Sequence, residues 1–194
     1  MAMKNLELKD HKMMKPRRLE RRVIYKSSWI DLYLDRVQMP NGHLINEHHL
    51  LDLKRQAVAC LAENSQGQVV LCKICRYTTG ETTWELPAGR MEADETIFQA
   101  AERETLEETG CQVSGLELVY SYHPLPGISG QVFHILHGRA SQCGEIFDRN
   151  EVSQVSWFSR EDVRRMLVDR QITDGPTLIG LLFWLYPSLG QQIP

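Results

Sequence analysis

The sequence predicts an α+β fold, and three observations carry that reading. Short runs that alternate apolar and polar residues, bounded by turn residues, recur between residues 22 and 157 and mark strands. Helical signals are confined to residues 95–109, 159–169 and 177–185, and they do not alternate strictly with the strands, which argues against a doubly wound sheet. With 194 residues, 42% of them hydrophobic and 24% charged, the chain has room for one sizeable core and an N-terminal extension.

Residues 1–22 carry eight Lys or Arg against three acids and read as a basic, solvated arm. Residues 22–26 and 29–37 read as strands, the second alternating through Ile30, Leu32 and Leu34. Met39-Pro40-Asn41-Gly42 is a turn, because Pro ends a ladder and Asn-Gly favours a tight reversal, and residues 43–53 return as a third strand. Residues 23–54 thus form a small antiparallel meander, too little to stand alone and expected to pack on the next domain or on a second subunit.

The main domain is expected over residues 55–194. Residues 56–63 and 68–76 are strands joined by Asn64-Ser65-Gln66-Gly67. A loop through Pro87-Ala88-Gly89 leads to the helix at residues 95–109, with Asp94 as its N-cap and Gly110 as its left-handed C-cap. Ile97, Phe98, Ala101 and Thr105 would form its buried stripe. Strands follow at residues 113–122, 130–140 and 152–157, then a helix opened by Ser159 and an apolar closing helix after Asp174-Gly175-Pro176.

A net charge of −3 gives no reason to expect nucleic acid or an anionic membrane as a partner. No run reaches the roughly 18 apolar residues of a membrane helix, and the N-terminus lacks the apolar core of a signal peptide, so a cytoplasmic protein is expected. Five scattered cysteines fit a reducing compartment. Cys72 and Cys75 make a C-x-x-C without a second pair, inside an apolar run, and read as buried strand thiols.

The helix at residues 95–109 crowds Glu102, Glu104, Glu107 and Glu108 into its last two turns, where like charges repel. Glu104, Glu107 and Glu108 lie three and four residues apart, on what should be one exposed side, and would be relieved by a cation. Hard oxygen ligands of this kind suit Mg²⁺, with Mn²⁺ as a substitute. For a lone E-x-x-E-E, a solvated acidic face would be the plainer reading.

Here the spacing is longer and more specific. Gly89, Glu95, Arg103-Glu104, Glu107-Glu108 and Gly110 stand at the intervals of the Nudix box, and residues 89–111 resemble it, with Thr105 and Cys111 where bulky aliphatics are usual. The resemblance implies the Nudix fold, an α/β/α sandwich around a mixed sheet, and a metal-dependent hydrolase of nucleoside diphosphates linked to another group. Arg76-Tyr77, Trp84 to Gly89, Ser121 to Gly127, Asp148 to Glu151 and Ile172 to Thr177 are similar to the ADP-ribose pyrophosphatase branch, which hydrolyses nucleoside diphosphate sugars. Lys54-Arg55-Gln56 departs from that branch's usual Pro-Gly.

What the resemblance implies for the site can be stated residue by residue. Glu104, Glu107, Glu108 and the Ala88 carbonyl would hold the metal, and Arg103 with Glu95 would fix the loop to the helix. Arg76 would contact a phosphate, with Glu85 and Pro126 in the substrate site. Glu151 is the candidate general base, with Glu145 of the same loop as the alternative. Trp29 or Tyr33, in the part that often pairs with a second subunit, would supply an aromatic platform for the base, which implies a homodimer. GDP-mannose, NADH or a dinucleoside polyphosphate remain alternative substrates, and a nucleotide-sugar-binding module without catalysis is the alternative class.

Overall fold

Residues 15–144 and 147–190 are described by the computed structural model, and they separate after Leu53 into an N-terminal and a C-terminal unit. In the first, β1 (Arg17–Lys26), β2 (Asp31–Gln38) and β3 (Leu44–Asp52) form an antiparallel sheet in the order β1-β2-β3. Strand β1 begins at Arg17 rather than at residue 22, so part of the expected arm is sheet; residues 1–14 of that arm lie outside the described residues. The reason is local pairing. Arg21 donates from Nε and Nη2 to the two carboxylate oxygens of buried Asp35, each at 2.7 Å, and lies 4.4 Å above the Tyr33 ring. That fork fixes a basic residue in the strand and holds the Asp35 carboxyl below its usual range. Gly42, at φ 84°, closes the β2–β3 turn by donating to the Met39 carbonyl.

The second unit is built on β4 (Ala57–Glu63) and β5 (Val69–Cys75), with β6 (Thr82–Glu85) paired to β5 and β7 (Ala88–Arg90) paired to β4. After α1 (Ile97–Thr109) come β8 (Cys111–Tyr122), β9 (Phe133–Cys143), β10 (Val152–Phe158), α2 (Arg160–Val168) and α3 (Gly175–Leu185). The main path of the sheet is β10-β5-β4-β9-β8; β4 and β9 run parallel and the other pairs antiparallel, so the sheet is mixed, as expected. The expected loop at Ala88-Gly89 is instead a strand.

Strand β4 reads as one apolar run because both of its faces are covered. Ala59 and Leu61 enter a core with Val163, Met166, Leu181 and Trp184 of α2 and α3, whereas Val58, Cys60 and Ala62 enter a second core with Ala100 and Ala101 of α1. This is the α/β/α layering. Leu61, Ile135 and Leu181 are essentially unexposed, and burying each such side chain stabilises by about 1.5–3 kcal/mol. The central position of β4 matters to function, since it carries β7 on one flank and β9 on the other.

The cysteines do not all remain thiols. Cys111 and Cys143, facing each other across the β8–β9 ladder, form a disulfide. Cys60, Cys72 and Cys75 are free. Cys75 is exposed rather than buried, because an odd offset from Cys72 turns it to the other face of the strand. Among the described residues no helix is long and apolar enough to cross a membrane.

Candidate active site

The acidic helix starts later than its sequence suggests. Thr96, not Asp94, is the N-cap of α1: its hydroxyl accepts from the Gln99 N–H and the Gln99 side chain accepts from the Thr96 N–H, a reciprocal box. Asp94 stands outside the helix at φ 66°. Gly110 ends the helix in the left-handed conformation at φ 70°, donating to the Leu106 carbonyl. Ala101 and Thr105 are buried as expected, but Phe98 is 42% exposed and Ala100 takes the inward position in its place.

That helical phase changes the setting of the carboxylates. Only Glu107 stands on the exposed side; Glu108 is buried and the Glu104 side chain is largely covered. Both turn toward β7. Glu108 Oε2 accepts from the Ala88 N–H at 2.9 Å, and the Glu104 carboxylate lies against Gly89. Burial pushes Glu108 up to about 8; the Ala88 N–H and Arg76 oppose the rise, and the charges of Glu104 and Glu151 add to it. Burial also raises Glu104, where Arg103 opposes and Glu107 and Glu151 add.

Arg103 is the organising cation. Its Nε donates to Glu95 at 2.7 Å and its Nη2 to the other Glu95 oxygen and to the Arg90 carbonyl, while Nη1 donates to Glu104 at 2.8 Å and to Glu107 at 3.2 Å. Glu95 is held below its usual range chiefly by this bond. Among the described residues no group of three or more His, Cys, Asp or Glu is arranged to hold a metal ion. The donor set still fits a divalent ion in its chemistry: two carboxylates converge on the Ala88-Gly89 segment, one of them buried and short of positive charge. Glu107 would complete the set by leaving Arg103.

Ala88 and Gly89 form one wall of a cleft of about 210 Å³, and Phe133 of β9 forms another; both strands flank Ala57 of β4. Arg76 and Glu85 line the same cleft. They form a forked pair with contacts of 2.5, 3.0 and 3.2 Å through Nε and Nη2, which leaves Nη1 outside the pair. The Glu85 bond raises Arg76. Glu85 is buried, and Arg76 is the cation it is bonded to.

The remaining expected residues are less closely gathered. Glu151 is exposed at the end of the loop before β10, and its charge reaches Glu104 and Glu108. The loop is docked on α1 by the Asp148 N–H donating to the Glu107 carbonyl at 2.8 Å. Glu145 lies outside the described residues. Pro126 is exposed in a turn and does not line the cleft. Trp29 is 66% exposed on the N-terminal unit, whereas Tyr33 is engaged by Arg21 and donates to Asp31. Asp174, Gln131 and Arg90 also line the cleft; Asp174 belongs to the branch-like stretch Ile172 to Thr177 and Arg90 to the box, but none of the three has a role assigned from the sequence.

With this geometry in view, comparison with known proteins is informative. Residues 53–177 match the NUDIX domain model, and residues 17–51 match the nucleoside diphosphate sugar hydrolase N-terminal domain. An ADP-ribose pyrophosphatase of Bacillus subtilis (strain 168) is 26% identical over 89% of this chain and 94% of its own length. One from Escherichia coli (strain K12) is 29% identical, covering 86% of each chain. A crystal structure of an ADP compounds hydrolase superposes with a TM-score of 0.76 at 16% identity, over 91% of this chain and 95% of that one, and shares the fold.

Proposed function

The chain belongs to the Nudix family and is a Nudix pyrophosphohydrolase, and from that premise we propose that it hydrolyses the diphosphate of ADP-ribose or a related nucleoside diphosphate sugar with Mg²⁺. The products are a nucleoside monophosphate and a sugar phosphate, and Mn²⁺ can stand in for Mg²⁺. One observation carries the reading: Glu104 and Glu108 converge on Ala88-Gly89, the same segment that walls the cleft containing Arg76. The ADP-ribose pyrophosphatases among the relatives and the matched N-terminal domain support the substrate class.

In this mechanism Glu104, Glu107, Glu108 and the Ala88 carbonyl would hold a divalent ion, whose contribution would be to polarise phosphoryl oxygens and acidify a water. Arg103 keeps Glu104 and Glu95 in place and releases Glu107. Arg76, oriented by Glu85, offers its Nη1 edge to a phosphate oxygen, a contact for which a guanidinium is suited. Glu151 accepts the proton of the attacking water, its loop held to the helix by Asp148. An aromatic platform for the base comes from the partner subunit's Trp29.

The same reading makes the enzyme a homodimer, joined through the N-terminal sheet, whose β1 exposes Leu19, Val23, Ile24 and Tyr25, and places it in the cytoplasm despite the Cys111–Cys143 disulfide, a bond that reducing compartments disfavour. Light scattering of the full chain and of a chain starting at Lys54 tests that arrangement. Incubating the protein with a panel of nucleotide sugars and either metal, and resolving the products chromatographically, tests the reaction. Release of a nucleoside monophosphate only in the presence of a divalent ion is expected; binding without cleavage under every condition would instead support the non-catalytic module.

A further inference from the structure

The cleft beside Ala88-Gly89 holds a carboxylate that neither the metal site nor the Arg76–Glu85 pair uses. Asp174 is half-buried and caps α3, its Oδ2 accepting from the Thr177 N–H at 2.9 Å. Oδ1 takes no hydrogen bond from the described residues. Together with Pro176, the residue lines the cleft, and among the described residues its carboxylate forms no ion pair: Arg76 is forked onto Glu85, and Arg90 lines the cleft as well. Its negative charge is felt through the cleft: Arg76 is raised chiefly by its bond to Glu85, and Glu85 and Tyr122 chiefly by burial, and in all three Asp174 adds a smaller push in the same direction. Tyr122 packs its ring 5.9 Å from that of Phe133, another lining residue, and its buried hydroxyl has no partner among the described residues.

These features divide the cleft by chemistry. A phosphate is served where Arg76 and the carboxylate-bound metal meet, but beside Asp174 a second anion would face a fixed negative charge in a partly desolvated place. A lone carboxylate oxygen accepts from cationic donors and from hydroxyls, and of the two a sugar offers hydroxyls. The volume of about 210 Å³ lies below the roughly 300 Å³ at which pockets for drug-sized ligands begin, which suits one sugar ring rather than a second nucleoside.

We propose that Asp174 is a specificity-determining residue: its free oxygen accepts a hydroxyl of the sugar attached to the diphosphate, and its charge rejects substrates whose distal group is anionic. The inference rests on the proposed function and narrows it to neutral, polyhydroxylated sugars. Dinucleoside polyphosphates and sugars bearing a further phosphate or a uronate are thereby disfavoured.

Asp174→Asn tests the idea, because Asn caps a helix about as well as Asp; its single amide oxygen serves the Thr177 N–H, so an NH2 group replaces the free oxygen in the cleft and both the charge and the acceptor are removed. The probes are ADP-ribose and its counterpart phosphorylated on the distal ribose. The wild type is expected to prefer ADP-ribose by at least about tenfold in kcat/KM. In the variant the two constants move in opposite directions, that for ADP-ribose falling and that for the phosphorylated probe rising, so that the ratio shrinks about tenfold at unchanged melting temperature. An unchanged ratio, or a loss on both probes alike, overturns the role given to Asp174 while leaving the hydrolase reading intact. A wild type that cleaves no nucleoside diphosphate sugar overturns both.

Discussion

The carboxylate of Glu104 fills the space that a side chain at Gly89 would need: a β-carbon there would stand 2.0 Å from Oε1 and 2.2 Å from Cδ. The helix and β7 are therefore fitted to each other at the point where the proposed metal ligands gather. A glycine in a strand is otherwise unfavourable, and here a close approach accounts for it.

Gly89→Ala should accordingly separate stability from activity. The atoms that must move are the far end of a flexible side chain, so the melting temperature should fall by only a few degrees. Turnover should drop by at least about 100-fold, since displacing a ligand by an ångström is enough for that loss. A variant with near-normal kcat would break the link drawn between Gly89, Glu104 and catalysis.

Glu108 carries a stability cost that metal-free protein should reveal. Its carboxyl is raised from 4.5 to about 8 in the folded state by burial. Below pH 4.5 it is neutral whether the chain is folded or not; between 4.5 and about 8 only the unfolded chain releases the proton, so stability declines as pH rises and the loss is complete above 8. Glu108→Gln should remove that slope. In chelator the variant should melt higher than the wild type at pH 8, by roughly 2–4 °C per kcal/mol recovered, and the gap should close at pH 4. The same variant should lack metal-dependent hydrolysis.

Much of this arrangement was legible in the sequence, and what was not has physical causes. The spacing of Gly89, Glu95, Arg103, Glu104, Glu107, Glu108 and Gly110 identified the helix, its C-cap and the family, because each residue answers to a local rule. The start of the helix was missed because Asp94 and Thr96 are both good caps, and only Gln99 three residues on favours Thr96. Helical spacing placed the three glutamates on one side but not against β7, since Ala88-Gly89 reads as a loop until β4 offers it a partner. Strand β1 was read too short because its arginines look like a charged tail until Asp35 supplies the fork. Asp174 carries a capping signal that says nothing of the cleft, which exists only once α3, β7 and β9 are assembled.

Arg103 joins Glu95, Glu104, Glu107 and the Arg90 carbonyl through one planar group, a set that an ammonium cannot reproduce. Arg103→Lys should weaken Mg²⁺ binding by about 10–100-fold in calorimetric titration, as loss of a group supporting metal ligands commonly does. An affinity within twofold of the wild type would show that Glu104 needs no such support.

Glu151 bears on the last step of the mechanism. It stands exposed at the mouth of a loop pinned to α1 through Asp148 and Glu107, and its charge reaches both Glu104 and Glu108. A base there must take a proton during turnover but contributes little to holding the substrate. Glu151→Gln should therefore lower kcat by about 10²–10⁴ with little change in KM. The loop should stay docked, because the Asp148 bond to Glu107 runs through backbone atoms. Glu145→Gln, made in parallel, should keep most of the activity. If the two variants behaved the other way round, with Glu151→Gln turning over normally and Glu145→Gln silent, the base would have to be reassigned to Glu145.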